Sequence, residues 1–468
     1  MDLERLRSFI LFSKPLYFGW LLSVPYYGPV FNVAAPAPVM EGYSLFLIFA
    51  AAHALTYLTG GLILKDARNC LNLMAVSLIV TLLTNATLLL PYTILWLPAM
   101  AIFGVFSSLY IMGWCCLYSL FIPNVGRLKL MAAVIIWSNV IFVIFNLLAS
   151  FLPAQAVLAL ALLPLVGAGV ILSRFKFPYL QKSKPLVKAM PLLKPLLVII
   201  CLFIFVLYLN GGLMYRIIMP TLDLQVPFAF YFRYVIYILI VLVMYIFGER
   251  LQRYFPIYMA VSLLGMAYIS FALLSDLTAG FFLTASMFEA AFAMLDLFIW
   301  VTLGSLAFLY KAPFQFFGLA LAANLSGIIL GDFFGELLLE SGESIRLMTA
   351  IFASLSIFAV FIIVPWLNQQ VEKNLPQALE GSTISPLLSG SGQPAHLEAH
   401  LIPGEKLTPR EIEIIALILK GYTNKDIAEK LFVSPNTIKT HLKNIYYKFG
   451  VNKKKDLIIL SSKGHLID

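Results

Sequence analysis

Apolar runs of about twenty residues recur along the first 367 positions of this chain, and they constrain its fold more than any other feature. A helix of that length spans the ~30 Å hydrocarbon core of a bilayer. Inside that core every backbone N–H and C=O must be bonded within the protein, which restricts spanning elements to helices and closed barrels. These runs are continuous rather than alternating, so they read as helices. Composition agrees: 61% of the 468 residues are apolar and 12% are charged, against roughly 25% charged in soluble domains. A water-soluble fold is excluded, and the chain is expected to be an all-α, multi-pass membrane protein.

Hydropathy predicts twelve spans near 16–35, 43–64, 71–90, 94–121, 130–150, 154–173, 195–214, 228–248, 255–275, 278–306, 313–339 and 346–367. Lysine and arginine test that count, because they concentrate in cytoplasmic loops. With the N-terminus inside, alternate loops hold Arg5, Arg7 and Lys14, then Lys65 and Arg68, then Arg127 and Lys129, then six bases between 174 and 194, then Arg250 and Arg253, then Lys311. The opposite loops hold only Arg216 and Arg346. One missed span would scramble that parity, so twelve spans with both ends in the cytoplasm are expected. Asp2 and Glu4 mixed among the N-terminal bases read as an uncleaved first helix rather than a signal peptide. Cys70, Cys115, Cys116 and Cys201 show neither metal-ligand nor disulfide spacing.

The acid-free stretch 174–194 divides the spans into six and six, with about 173 residues on each side. Two equal six-helix halves joined by a basic loop resemble the major facilitator superfamily, which implies pseudo-symmetric halves around a midplane site. Of that family's signature after the second span, Gly60 to Arg68 keeps the two glycines, Asp66 and two bases at altered spacing.

Composition then changes. Residues 368–403 are rich in Ser, Gly, Pro and Gln without apolar periodicity, and read as a flexible linker. Residues 404–468 read as a separate helical domain. Thr408-Pro-Arg-Glu411 and Thr423-Asn-Lys-Asp426 are capping boxes, and Ser434-Pro435 marks a third helix start. Apolar residues follow at helical spacing: Ile412, Ile415, Ala416 and Leu419, then Ile427, Ala428 and Leu431, then Ile438, Leu442 and Ile445. The short second helix and the tight turn into the third define a helix-turn-helix, closed by a fourth helix near 453–463. With its apolar side inward, the third helix turns Thr437, Lys439, Thr440, Lys443 and Asn444 outward, and 434–455 contains six lysines and no acid. Long donors on such a helix suit base edges in the major groove, with flanking Lys and hydroxyls on phosphates.

Leu407-Thr-Pro-Arg-Glu-Ile-Glu413, Gly421 to Leu431, Val433-Ser434, Thr437-Ile-Lys-Thr-His-Leu442 and Lys448-Phe-Gly-Val451 resemble the LuxR-type DNA-binding domain over its whole length. The resemblance implies a four-helix domain that binds DNA as a dimer. It places Lys439, Thr440 and Lys443 at base edges, and Asn424, Lys425, Thr437 and Lys448 near the backbone. Lys453 to Lys455 stand where many members carry arginine, keeping charge without the fork geometry. The usual soluble sensory domain is replaced by the membrane unit.

Charges inside lipid mark functional sites. Here they are Arg233 in span 8, Glu289 and Asp296 in span 10, and Asp332 and Glu336 in span 11. Arg233 is expected to pair with Asp332 and Glu336 by depth. Glu289 reads either as a ligand or proton site or as a structural acid. His53 in span 2 reads as a packed residue, and Gly327, Gly331 and Gly335 as a close-approach stripe. The expected function is a membrane-tethered bacterial transcription regulator of the inner membrane that senses a ligand or membrane state. The alternative is a transporter with a fused reporter domain. No nucleophile–base pair, metal cluster or phosphate loop supports an enzyme, and no cofactor is called for. The partners implied are duplex DNA, the bilayer, a small molecule, a second copy on DNA and RNA polymerase.

Overall fold

The computed structural model describes residues 3–26, 42–65, 70–90, 95–122, 126–175, 194–220, 229–248, 251, 255–274, 276–340, 345–380, 407–419, 422–431, 433–451, 453–454 and 456–457. The described elements are helical throughout, and the chain divides into two compact units at Gln370/Val371.

The first unit contains α1 (Leu3–Ser23), α2 (Gly42–Ile63), α3 (Cys70–Asn85), α4 (Trp96–Phe121), α5 (Arg127–Ala149) and α6, which is formed by Ala154–Leu160 and Leu162–Ser173. Its second half contains α7 (Pro195–Leu213), α8 (Ala229–Phe247), α9 (Phe255–Leu274), α10 (Thr278–Tyr310), α11 (Pro313–Glu340) and α12 (Ile345–Glu380). α6 is interrupted because Pro164 has no N–H for the carbonyl of Leu160. α10 ends where Lys311 takes the left-handed conformation, φ 53°, and Pro313 then opens α11.

Among the described residues ten of these helices are long and apolar enough to cross a membrane. Of the other two, α8 is apolar throughout Tyr231–Phe247, the part whose side chains are described, and α1 carries four charged residues at Glu4, Arg5, Arg7 and Lys14. The first helix also starts earlier than hydropathy predicts, at Leu3 rather than 16, because hydropathy treats Lys14 as a boundary. Lys14 is in fact inside the bundle, 2% exposed, and is not a loop base. The last helix runs past Leu367 to Glu380, into the stretch read as linker. The Asp66–Arg68 signature, the bases Arg250 and Arg253, most of the 174–194 loop and the remainder of the linker lie outside the described residues.

The glycine stripe on α11 has the packing role expected of it. A Cβ on Gly327 would lie 2.5 Å from the Phe205 carbonyl oxygen, one on Gly331 would collide with the Leu209 carbonyl, and one on Gly335 would lie 2.9 Å from Arg216 Cβ. Helix α7 therefore runs backbone against backbone along α11. Gly331→Val should lower the melting temperature of the detergent-solubilised protein by an amount equivalent to about 1–3 kcal/mol or more. Gly265→Ala serves as the control, since its nearest neighbour, Ile357 Cδ1, stands 4.0 Å away.

The halves approach each other closely where α2 ends and α11 begins: a Cβ on Gly318 would lie 2.6 Å from Gly61 Cα. An aromatic cluster continues that closure, with Trp114 of α4 stacked on Tyr118 and edge-on to Trp300 of α10, and with Tyr118 and Trp300 against Phe317 of α11. α5 meets α8 elsewhere, through Ser150 Oγ to Tyr231 Oη at 2.8 Å and the Phe142–Tyr234 ring pair.

The second unit contains α13 (Pro409–Leu419), α14 (Asn424–Lys430) and α15 (Pro435–Lys448). Ile414, Ile415, Ile418, Ile427, Ile438, Leu442, Ile445, Phe449 and Leu457 form its own buried core. On α13 the buried face is shifted by one residue from that expected: Ile414 and Ile418 are buried, and Ile412 is only half-buried. A stretch that is apolar at almost every position does not disclose its face. Leu457 belongs to the fourth segment, which beyond that residue lies outside the described residues.

Candidate nucleic-acid interface and membrane-embedded polar cluster

The three helix starts of the second unit are closed as the sequence predicts. Thr408 N–H donates to Glu411 Oε2 at 2.8 Å and Glu411 N–H to Thr408 Oγ1 at 3.2 Å. Thr423 and Asp426 repeat the exchange at 2.9 and 3.3 Å, and Ser434 Oγ accepts from Thr437 N–H at 3.1 Å. Each cap satisfies donors that would otherwise be orphaned and fixes where its helix begins. Arg410 ties α13 to the end of α14 by donating to the Leu431 carbonyl at 2.8 Å.

With Ile438, Leu442 and Ile445 buried, Thr437, Lys439, Thr440, Lys443 and Asn444 are all exposed on α15. Lys439 and Lys443 stand one turn apart on this face. Thr440 bonds back to the Asn436 carbonyl at 3.1 Å, which leaves its oxygen as an acceptor. Asn424 is half-buried at the first position of α14. The side chain of Lys425 lies outside the described residues.

Lys448 has a partner that the sequence did not disclose. Its Nζ donates to Glu411 Oε2 at 2.8 Å, joining the end of α15 to the first capping box. Burial pushes the Glu411 carboxyl up, but the Lys448 ammonium and the Thr408 backbone and hydroxyl donors outweigh it and hold the pKa below the usual carboxylate range. The stabilisation is therefore complete above the unfolded-state value, ~4.3, and is lost as pH falls through the lower folded-state value. Glu411→Ala should cost the isolated module about 1–3 kcal/mol at pH 7 through loss of the cap and the pair. Chemical denaturation at pH 7 and at pH 3 should show that cost shrinking in acid. Lys454 likewise serves the fold, donating to the Tyr422 carbonyl at 2.6 Å.

In the first unit, Asp296 lies at the centre of a cluster. Its Oδ1 accepts from Tyr208 Oη of α7 and its Oδ2 from Tyr237 Oη of α8 at 2.7 Å. Neither tyrosine was singled out from sequence, where both lie in ordinary apolar runs. Arg233, Glu289 and Asp332 are buried, at 4%, 6% and 5% exposure. Tyr215 interacts electrostatically with Arg233, Glu289 and Asp296. It lies in a π-helical turn, Met214–Ile218, that continues α7, a distortion frequent at functional sites. Tyr215 itself is 43% exposed. Glu336 pairs with Arg216 of the same turn at 2.8 Å. Arg216, read from sequence as a loop base, is thus a bundle residue, brought inward because α7 continues past Leu213. His53 is packed, bonded through Nδ1 to Ser107 Oγ at 2.9 Å with Phe49 and Tyr57 against its ring.

The family model of bacterial regulatory proteins, luxR family, matches residues 405–461. The chain is 35% identical over 97 residues to the transcriptional regulatory protein LiaR of Bacillus subtilis, covering 21% of this chain and 43% of that protein. It is 47% identical over 66 residues to the oxygen regulatory protein NreC of Staphylococcus haemolyticus, covering 14% and 30%. The chain thus spans less than half the length of these relatives. Among solved structures, a bacterial homologue of the iron transporter ferroportin in the outward-facing state aligns at TM-score 0.58 and 15% identity over 80% of this chain and 100% of that one. The major facilitator transporter FucP, outward conformation, aligns at 0.57 and 11% over 77% and 98%. The C-terminal unit is a LuxR-type helix-turn-helix domain. It is carried by a multi-pass membrane unit with the major facilitator fold, and neither likeness is to an enzyme.

Proposed function

We propose that this chain is a membrane-tethered transcription regulator in which the major facilitator unit senses a ligand and the LuxR-type domain acts on DNA. The observation that carries this reading is the exposed Lys439–Lys443 face of α15, held by a complete set of caps and by its own core. One helix-turn-helix reads a half-site, so two copies bind together about one DNA turn apart and act through RNA polymerase. The ligand binds between the halves near Glu289 and Asp296, with Arg233, Asp332 and Glu336 toward the opening. The domains follow the boundaries 1–367, 368–403 and 404–468, with α12 of the first continuing into the second as far as Glu380. Twelve spans cross the inner membrane with both ends in the cytoplasm, as the charge parity supports. Reporter enzymes inserted in 176–193 and fused after residue 380 should both read cytoplasmic, and an external reading of either removes this topology. The regulatory reading is tested by footprinting the isolated domain on the chain's own upstream region and by deleting the gene and measuring its neighbours' transcripts.

A second reading, a working transporter that reports its own flux, is favoured by the fold itself. Uptake into reconstituted vesicles separates the two: ligand binding without accumulation supports the sensor.

A further inference from the structure

Lys14 is a buried charge of the bundle that the proposed ligand site does not yet use. It lies midway along α1, 2% exposed, and among the described residues its ammonium makes no hydrogen bond and no ion pair. It faces rings instead: Trp300 at 3.2 Å, Trp114 at 4.4 Å and Phe18 at 5.1 Å. Two of those rings belong to the first half and one to the second. A cation–π contact offsets part of the lost hydration of an ammonium but occupies none of its three N–H donors with an acceptor. Asp296, one turn before Trp300 on α10, attracts Lys14 electrostatically without a direct ion pair. Its two oxygens each accept one phenol, which leaves about half of its acceptor capacity open.

We infer that Lys14 and Asp296 are the two poles of a binding site for a small zwitterion of the amino-acid class. The ligand carboxylate takes the donors of Lys14 and its ammonium takes the open lone pairs of Asp296. An apolar side chain lies against Trp114 and Trp300. Charge balance selects this class. Lys14 and Asp296 offset each other's charge, so a ligand with one net charge would unbalance this pair in a low-dielectric interior, whereas a zwitterion keeps it balanced. Because the poles come from opposite halves, the bound ligand would bridge them. This inference rests on the reading of the membrane unit as ligand-binding.

The test uses the full chain in detergent, with thermal shift and titration calorimetry. The probes are the twenty common amino acids and, for phenylalanine, the matched analogues phenethylamine and 3-phenylpropionate; a hit other than phenylalanine is paired with its own amine and acid analogues. At least one amino acid should bind, and its single-charge analogues at least tenfold more weakly. Lys14→Met should abolish that binding and turn preference toward the amine, while Asp296→Asn should turn it toward the acid. Lys14→Arg keeps the charge and should retain zwitterion binding. No binding by any amino acid, equal binding of the analogues, or unchanged binding in Lys14→Met each overturns the site. Should the variants not fold, the analogue series on the wild-type chain decides alone. An amino acid that binds with this signature but leaves target transcription unchanged removes the sensing role and keeps the site. A transcriptional response to another small molecule, with no amino acid bound, does the reverse.

Discussion

The isolated module 400–468 carrying Lys439→Ala or Lys443→Ala is expected to bind its operator about 5–150-fold more weakly, equivalent to about 1–3 kcal/mol, with discrimination relaxed at the contacted base pair. Both side chains are exposed on the same face of α15, and neither is needed for the core, which is built from Ile438, Leu442 and Ile445 behind them. The melting temperature of either variant should therefore stay close to that of the parent. Lys448→Ala should behave in the opposite way, because its ammonium is engaged by Glu411 at 2.8 Å: stability falls first, and any loss of affinity follows from it. Binding by the parent module should weaken steeply with salt, since phosphate contacts release counterions. A footprint unchanged by either substitution on α15 would remove this helix from the groove.

Much of this architecture is legible in the sequence, for reasons that differ between the two units. In the C-terminal domain the caps are local devices: Thr408 with Glu411, Thr423 with Asp426 and Ser434 with Thr437 are three residues apart, so spacing alone discloses them. The Lys448–Glu411 pair, 37 residues apart, depends on how α13 and α15 cross, which no local pattern encodes. In the membrane unit, hydropathy finds helices because lipid selects apolar length, but it misreads polar residues that the bundle accommodates. Lys14 reads as a boundary until the Trp300 and Trp114 rings are placed beside it. Asp296 is visible as an intramembrane acid, whereas its partners Tyr208 and Tyr237 are not, since a tyrosine in an apolar run carries no mark of its hydrogen bond. The expected pairing of Arg233 with Glu336 rested on depth alone. Arg216 takes Glu336 because the π-helical turn extends α7 far enough to bring it there.

Glu289→Gln is expected to abolish or strongly shift the ligand response of the full chain while leaving the DNA affinity of the isolated domain unchanged. Glu289 is 6% exposed and acts electrostatically on Tyr215 and Tyr237, the latter bonded to Asp296, so removing its charge alters the field in which a ligand is held. How that change reaches DNA depends on the connection. Helix α12 continues to Glu380, and the Ser-, Gly- and Pro-containing sequence of 381–403 predicts a segment too compliant to carry a tilt of α12 as a rigid rotation. Signalling through association of the DNA-binding domains, or through release of a basic domain held by anionic lipid, needs no such rigidity. Inserting a second Gly/Ser segment of equal length near Ser389 should therefore leave regulation largely intact, as read by a transcriptional reporter across a ligand titration. Loss of regulation on insertion, with protein level and operator affinity preserved, would instead establish that the helix and linker act as a rigid lever. A normal response in Glu289→Gln would remove that carboxylate from the mechanism. In either case the Lys14–Asp296 site would still be decided by its own binding measurements.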